Sequence, residues 1–283
     1  MLTSRRTSRW PILVWLPVLR PKIQRNRLQN SFAEYLRSGL VILALAFLPS
    51  ACRNSAAEPA GNRVTFATAL PLFPASADPS AILNGPDQRS AIVRSLSKRF
   101  EIVPLARLDE KVLSGSTLIL AQPRGLAGDE LVAIDNWVRA GGRALIFTDP
   151  ELVWPSELPL GDPRRAPPIG LLDPLLSHWG LDLDAPAMND DGPVQRIMVG
   201  KFSVAVAWAG QWRTRSGQCK IESLGLIANC HVGKGQVLLV ADADLLDQRL
   251  WLATGADNES AILHLVSRVA SSGQDQTMVR DGT

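Results

Sequence analysis

Apolar and polar positions along the chain alternate in blocks that predict strands joined by helices. The clearest block is residues 117–150, which begins with the apolar run TLILA and ends with RALIFT before Asp149. Such runs are typical of strands that are buried on both faces. Between them Leu131, Ile134 and Val138 recur at helical spacing, which predicts an amphipathic helix. Two buried strands joined by a crossover helix predict a parallel sheet covered by helices on both faces.

The remaining apolar runs extend this alternation. Further strands are predicted at residues 64–70, 100–104 and 236–241, and further helices at 87–100, 108–113, 169–179 and 257–270. Antiparallel strands are predicted at 194–208, 211–215, 219–222 and 226–232, as a β-rich extension on one edge. The sequence therefore predicts an α/β fold with a flavodoxin-like or amidotransferase-like parallel sheet, helices on both faces and an antiparallel extension.

Changes in composition divide the chain into six segments. These are a leader (1–52), a tether (53–62), the first part of an α/β domain (63–150), a proline-rich loop (151–168), the remainder of that domain with the β-rich extension at about 194–232 (169–272), and a disordered tail (273–283). The proline-rich loop follows a predicted strand. It is therefore expected at the carboxyl edge of the sheet, where open α/β sheets commonly place their sites.

The net charge argues against a nucleic-acid partner. The chain of 283 residues carries a formal charge of +3, but residues 1–38 hold eight Arg and Lys against Glu34 alone, a net +7. Residues 39–52 carry no charge, so the part after Cys52 carries about −4. Because the basic residues lie in the leader, the predicted domain has no electrostatic footprint for nucleic acid.

The leader predicts export and attachment to a membrane. Residues 39–48 form an apolar run that is followed by Pro49, Ser50, Ala51 and Cys52. The run is too short to span a bilayer, which takes about 20 residues. Its ending is similar to a bacterial lipoprotein signal, although Pro49 stands where the usual pattern has its leucine. We expect a periplasm-facing protein anchored by lipidated Cys52; an ordinary signal peptide cut nearby and an uncleaved anchor are the alternatives.

The two other cysteines flank a predicted hairpin. If the chain turns at residues 224–225, Cys219 lies opposite Cys230 on the same face. A periplasmic disulfide is then geometrically possible, and two buried thiols are the alternative. The spacing does not fit a zinc site, and no metal or cofactor is predicted.

Acidic side chains follow two predicted strands. Asp149 ends one strand, and Asp242 and Asp244 follow another, so the three are expected at one edge of the sheet. Clustered carboxylates can hold a hard cation or transfer protons, but an aspartate in a loop more commonly caps the next turn. Arg164 and Arg165 in the proline-rich loop are candidate anion ligands, or solvated loop arginines.

No nucleophile is recognisable. No cysteine lies between Cys52 and Cys219, and the chain has no Gly-x-Ser-x-Gly turn. The three histidines, His178, His231 and His264, do not form a triad pattern with a serine and an aspartate. The residues themselves therefore predict a protein without enzymatic activity.

Two stretches carry a family resemblance. Residues 129–149 run as an acidic helix, Gly-Gly, an apolar strand and Asp, and residues 236–270 run as an apolar strand, Asp-x-Asp and a terminal helix opened by Asp-Asn. Over residues 64–271 the chain resembles the ABC-type uncharacterised transport system domain, which occurs in the gliding-motility-type auxiliary component of ABC exporters. The resemblance implies a non-catalytic fold of the class I glutamine amidotransferase type, and possible permease and ATPase partners.

The chain departs from that family in two ways. Members often carry transmembrane helices, whereas here only the leader can meet a membrane. The amidotransferase cysteine is missing as well, since Gln122 and Pro123 follow the strand where it would stand. The resemblance therefore implies an accessory domain and names no substrate.

The sequence leaves three functions open. The first is a non-enzymatic accessory or binding domain in the cell envelope, associated with an ABC-type transport system. The second is a metal-dependent hydrolase that uses the three strand-end aspartates. The third is a periplasmic domain that binds a small sugar or peptide, for which Trp154, Trp208 and Trp212 are candidate lining residues.

Overall fold

A seven-stranded sheet lies at the centre of the structure. The computed structural model describes residues 62–74, 88–186, 192–215 and 217–271. The strands are β1 (Arg63–Thr68), β2 (Glu101–Pro104), β3 (Thr117–Ala121), β4 (Arg143–Phe147), β5 (Leu181–Asp184), β6 (Val194–Val199), β7 (Phe202–Ala207), β8 (Gln211–Thr214), β9 (Cys219–Glu222), β10 (Ile227–Val232) and β11 (Gly235–Val240). The central sheet has the order β2-β1-β3-β4-β11-β10-β9.

Helices flank this sheet. They are α1 (Ala91–Leu96), α2 (Glu110–Leu113), α3 (Gly128–Arg139), α4 (Asp173–His178), α5 (Gln248–Thr254) and α6 (Asn258–Ser271), with 3₁₀ turns at Ser223–Gly225 and Asp244–Leu246. Helix α3 packs on β11, and α6 packs on β4 and β11. Across the described part of the chain, none of the helices combines the length and the apolar character that crossing a bilayer requires.

The strand directions confirm the predicted fold class. Strands β2, β1, β3, β4 and β11 run parallel to their neighbours. Strands β10 and β9 then add to the sheet in antiparallel fashion. The order 2-1-3-4 followed by one more parallel strand is that of flavodoxin-like folds. All five residues of β3 are buried, as a parallel strand covered on both faces requires.

Two helices are shorter than their apolar patterns predict. The helix predicted at residues 87–100 is α1, which begins where the Ser90 side chain accepts a hydrogen bond from the Val93 N–H. The chain after α1 continues as a hydrogen-bonded turn, in which the N–H of Phe100 still donates to the carbonyl of Leu96. The helix predicted at 169–179 is α4, whose first turn contains Pro174. Proline suits a helix start because it has no N–H to leave unpaired.

The predicted β-rich extension is divided among three sheets. The stretch at residues 194–208 is not one strand but the hairpin β6–β7, which turns at Gly200 and Lys201; Gly200 has a positive φ of 60°. Strands β9 and β10 join the central sheet, and β8 pairs with β5. The sequence pattern did not predict β5, because its four residues LDLD give only two apolar positions. It also did not predict α5.

The structure joins Cys219 and Cys230 in a disulfide. The two residues lie directly opposite each other in the β9–β10 pair, in the register that a turn at residues 224–225 implies. The turn itself is a 3₁₀ turn in which Ser223, Leu224 and Gly225 all have positive φ.

The predicted leader, Cys52 and the tail lie outside the described residues, as does the tether up to residue 61. The division of the chain into six segments therefore stays a prediction.

Strand β11 and helix α3 approach each other very closely at Gly235. A Cβ atom built on Gly235 would lie 2.0 Å from the carbonyl oxygen of Val138 and 2.5 Å from that of Gly142. Real Cβ atoms do not approach backbone oxygens this closely, so the contact between the helix and the sheet depends on the missing side chain.

We expect Gly235→Ala to lower the free energy of unfolding by about 1–3 kcal/mol, because the added methyl group displaces backbone atoms that cannot rotate away. Urea denaturation measures the change. Gly128→Ala is the matched control, since a Cβ atom at Gly128 meets no atom within 4 Å. We expect the control to leave stability unchanged or to raise it by up to about 1 kcal/mol. Equal losses in the two variants would contradict the close approach.

Candidate functional site

The structure brings the three strand-end aspartates together at the carboxyl edge of the sheet. Asp149 follows β4, and Asp242 and Asp244 follow β11, and these two strands are parallel neighbours. Asp149 and Asp242 are fully buried and Asp244 is 2% exposed. Nothing in the local sequence around any one of them requires such burial, so the reason for it lies in their hydrogen bonds.

Asp149 closes the loop after β4 and links it to the loop after β11. One carboxyl oxygen accepts the N–H of Glu151 at 2.8 Å, and the other accepts the N–H of Ala243 at 2.9 Å. The main-chain N–H of Asp149 in turn donates to Oε1 of Gln122 at 2.9 Å. A single side chain therefore satisfies backbone donors from two strand ends.

Asp242 links the end of β11 to the hairpin β6–β7. Its Oδ2 accepts the N–H of Ala207 in β7 at 2.7 Å, and its Oδ1 accepts the N–H of Leu245 in the following 3₁₀ turn. Both of its carboxyl oxygens, like those of Asp149, already hold a backbone donor.

Two more side chains complete the edge of β7. The N–H of Ser203 donates to Asp257 at 3.1 Å, and the N–H of Ala205 donates to Oδ1 of Asn258 at 2.8 Å. Asn258 also donates its side-chain N–H to the carbonyl of Ala205 at 2.8 Å. Side chains thus occupy the place of a neighbouring strand along β7.

Burial raises the pKa of all three strand-end carboxyls. It raises the pKa of Asp149 to about 6 and that of Asp244 to about 7. The pKa of Asp242 lies well above its usual range, because the group is buried and because Asp149 and Asp244 lie nearby. Backbone N–H donors oppose each of these shifts without cancelling it.

These contacts limit what the aspartates can do chemically. A catalytic carboxylate needs an oxygen that faces its substrate, whereas all four oxygens of Asp149 and Asp242 accept backbone N–H groups inside the protein. Within residues 62–74, 88–186, 192–215 and 217–271, no group of three His, Cys, Asp or Glu side chains is arranged to hold a metal ion. The geometry of Asp149 and Asp242 is that of structural cross-links.

Gln122 is a site residue that the sequence analysis noted only for not being a cysteine. It is fully buried and has a positive φ of 40°, in the sharp turn after β3. Its side chain accepts the Asp149 N–H and donates to the carbonyl of Pro167 at 2.9 Å, so it ties the proline-rich loop to the sheet. The sequence signal for this residue is a glutamine followed by proline directly after a buried strand.

Glu130 is a second buried group that the sequence pattern did not single out. Its carboxylate accepts the N–H groups of Leu108 and Ala127 and pairs with Arg124 at 2.9 Å. Arg124 and the backbone donors outweigh the effect of burial and lower the pKa of Glu130 to about 2. Glu130 therefore fixes the loop before α3 to the segment before α2.

Two cavities flank the proline-rich loop. The larger, which we call the edge cavity, has a volume of about 370 Å³. It is lined by Val153, Pro155, Pro193, Val194, Ala207, Trp208, Asp244, Asp247, Arg249 and Leu250. The smaller cavity has a volume of about 80 Å³, and its lining includes Trp154, Arg164 and Arg165.

The contacts of the two candidate arginines lie within the loop. Arg164 is exposed and pairs with Asp162 at 2.7 Å, and Arg165 donates to the carbonyl of Leu158 at 2.5 Å. Both line the smaller cavity, whereas Asp244 lines the edge cavity. The structure therefore gives the arginines and the aspartate different surroundings.

The three candidate tryptophans also separate. Trp154 lies under the guanidinium of Arg249, at 5.9 Å from the ring centroid, and lines the smaller cavity. Trp208 has a positive φ of 50° and lines the edge cavity. Trp212 is 3% exposed and belongs to the core.

Comparison with known protein families identifies the family of the chain. Residues 62–208 match the family described as "ABC-type uncharacterized transport system". The chain belongs to this family. The match confirms the resemblance found in the sequence and associates this member with an ABC-type transport system. No curated protein matches the chain.

Several solved structures are similar to the chain at low sequence identity. The chain is similar to "Exo-beta-1,4-mannosidase Op5Man5 from Opitutaceae bacterium strain TAV5" (13% identity, TM-score 0.39, 70% of this chain and 34% of that one). It is also similar to Gan42B, a GH42 beta-galactosidase from G. stearothermophilus (12%, TM-score 0.38, 69% and 30%). The chain thus spans about a third of the length of these glycosidases. "Cytoplasmic Protein STM1381 from Salmonella typhimurium LT2" is similar at 9% identity and TM-score 0.47, over 73% of this chain and 99% of that one.

We expect Asp244→Asn to change how stability depends on pH. Because the pKa of Asp244 is about 7 in the folded protein and about 3.9 in the unfolded chain, the folded state holds the extra proton between these values. Its contribution to stability is therefore complete below about pH 4 and is lost as the pH rises towards 7. Asparagine removes this loss, so the variant should gain roughly 2–4 kcal/mol relative to the parent between pH 4 and pH 8.

Urea denaturation of parent and variant across that pH range measures the difference. Asp129→Asn is the control, because Asp129 is largely exposed and pairs with Arg107 at the surface. A difference between parent and Asp244→Asn that stays constant from pH 4 to pH 8 would contradict a buried carboxyl with a raised pKa.

Proposed function

We propose that the protein is a non-enzymatic accessory domain of an ABC-type transport system, held on the periplasm-facing side of a membrane through lipidated Cys52. The observation that carries the proposal is the family match, which spans residues 62–208. A family associated with a transport system supports contact with its permease or ATPase subunits as the role of this chain.

The strand-end hydrogen bonds support a role without catalysis. The edge at which open α/β sheets usually place their reacting groups is filled here by Asp149 and Asp242, whose carboxyl oxygens hold backbone donors. The turn after β3 carries Gln122, an amide that serves as neither nucleophile nor base. The site therefore supports binding better than bond cleavage.

The leader supports the location. An uncharged apolar run of ten residues between Arg37 and Cys52, ending in small residues, is what export and lipidation at Cys52 require. The disulfide between Cys219 and Cys230 supports the same compartment, because disulfides persist in the oxidising periplasm.

A small-ligand-binding role is the second candidate, and the edge cavity favours it. Its volume of about 370 Å³ falls in the range of small-ligand pockets, and its walls are largely apolar with a few convergent polar groups. An accessory domain that presents a ligand or a peptide to a transporter would combine both roles.

Co-purification tests the transport association. We expect the full chain, expressed with a C-terminal tag in its own host and extracted in mild detergent, to carry an ABC ATPase and a permease at near-stoichiometric amounts. Cys52→Ala should move the protein from the membrane fraction to the soluble fraction and abolish incorporation of labelled palmitate, since a lipid chain holds it at the membrane. Quantitative mass spectrometry and fractionation provide the two readouts.

The control is Cys219→Ala with Cys230→Ala, which removes the disulfide and leaves the leader intact. We expect this double variant to stay in the membrane fraction. Membrane attachment of Cys52→Ala at the parental level would overturn the lipid anchor, and an extract without any ATPase or permease would overturn the association.

A further inference from the structure

Strand β6 presents an open edge. It pairs with β7 on one side, and no other described strand pairs with it. The N–H groups of Ser203, Ala205 and Ala207 in β7 point away from β6. The residues that lie opposite them in β6 therefore belong to the pairs that exchange no hydrogen bonds across the hairpin. Residues 194, 196 and 198 therefore direct their backbone N–H and C=O groups outward, and none of these groups has a hydrogen-bond partner among the described residues.

This edge differs from the other edge of the same hairpin. Side chains of Asp242, Asp257 and Asn258 occupy the hydrogen-bonding positions along β7, whereas nothing comparable in the described chain occupies those along β6. A row of unpaired backbone groups is a template for another strand. Natural proteins usually block such an edge unless a partner uses it.

Exposed apolar side chains accompany the open edge. Val194 is 41% exposed and Met198 is 54% exposed, on the same face of β6. Arg196 lies between them on that face, and its guanidinium donates to the carbonyl of Thr254. Leu224, in the 3₁₀ turn that lies beside β6, is 81% exposed. Exposed apolar residues that lie together, rather than singly, are typical of an interaction surface.

The edge cavity lies at the beginning of this strand. Val194 and the preceding Pro193 form part of its wall, so a chain that pairs with β6 reaches the cavity at the Val194 end. The lining carries the carboxyls of Asp244 and Asp247 and one guanidinium, that of Arg249. Arg249 pairs with Asp247 at 2.7 Å. Oδ2 of Asp244 accepts the Val153 N–H at 2.8 Å. Within the described part of the chain Asp244 forms no ion pair and its Oδ1 accepts no hydrogen bond, so this oxygen can pair with a positive charge in the cavity.

We propose that β6 and the edge cavity together bind an extended peptide segment of a partner protein, which adds as a strand along β6 and places a lysine or arginine side chain in the cavity next to Asp244. Main-chain hydrogen bonds to residues 194, 196 and 198 hold the segment, and the cavity selects the basic residue. Strand addition with one selective pocket is an established mode of peptide recognition. The proposal deepens the proposed accessory role by naming the chemistry of the partner.

A peptide display library tests the proposal. The probe is a random twelve-residue library, selected on the full-length protein in detergent. We expect enriched peptides that contain a lysine or arginine next to alternating β-branched residues, which favour an extended strand. The best enriched peptide is then labelled, and its dissociation constant is measured by fluorescence anisotropy against the parent and four variants.

The first pair of variants tests the strand. Met198→Pro removes an N–H that points outward, so the pairing with β7 survives while strand addition is blocked. We expect about tenfold weaker binding to Met198→Pro, and a clearly smaller loss, of about two- to threefold, for Met198→Ala, which loses the exposed side chain but keeps the N–H. Should Met198→Pro not fold, N-methylation of alternate peptide amides removes the same hydrogen bonds from the peptide side and should weaken binding equally.

The second pair tests the cavity. We expect Asp244→Asn to weaken binding about tenfold or more, because a charge-assisted contact is lost, and Asp129→Asn on α3 to leave it unchanged. Replacement of the basic residue in the peptide should weaken binding to the parent, and should not weaken binding to Asp244→Asn any further. Failure to enrich any peptide, enriched peptides without a basic residue, or equal binding to Met198→Pro and Met198→Ala would each overturn the proposal. None of these results bears on co-purification with the transporter, so the two proposals fail separately.

Discussion

The structure depends on side chains that satisfy backbone hydrogen bonds where the parallel strands end. After the carboxyl ends of β4 and β11 the chain leaves the ladder of the sheet, yet Asp149 and Asp242 there are fully buried. Asp149 and Asp242 supply acceptors for four backbone N–H groups, and Asp242 and Asn258 bind the edge of β7 as a neighbouring strand would. An unpaired buried N–H costs about 1–3 kcal/mol, so these contacts decide whether the hairpin can stay on the sheet.

The same contacts fill an edge that commonly holds the reactive site in open α/β sheets. Burial raises the pKa of these carboxyls, and in an enzyme such a shift would poise them for proton transfer. Here the oxygens of Asp149 and Asp242 face backbone donors, and the residue after β3 is a glutamine that holds the proline-rich loop. Only Asp244 also borders a cavity. The open part of this edge is the edge cavity, which residues of the loop and of the hairpin line.

Local sequence patterns predicted the features that local forces determine. The fully apolar runs at β3, β4 and β11 predicted a parallel sheet, and the aspartates after them were predicted to share its edge. The spacing of Cys219 and Cys230 predicted that they lie opposite each other, because the turn of a hairpin fixes the register of its two strands. The burial of those aspartates was not predictable, since their partners lie 35 and 94 residues away in the chain. The hairpin β6–β7 was also missed, because its tight turn at Gly200 and Lys201 carries no Asn-Gly or Asp-Gly signal.

Hydrogen exchange in Asp242→Ala measures most directly whether side chains hold the hairpin to the sheet. The variant removes both acceptors of Asp242, and Asp242→Asn keeps one of them. We expect Asp242→Ala, under conditions where it stays folded, to lower the protection of the Ala207 amide and of its neighbours in β6 and β7 about tenfold or more, with a smaller loss in Asp242→Asn. The amides of β3 and β4 should keep their protection. Unchanged protection across β6 and β7, or an equal loss throughout the central sheet, would contradict the account.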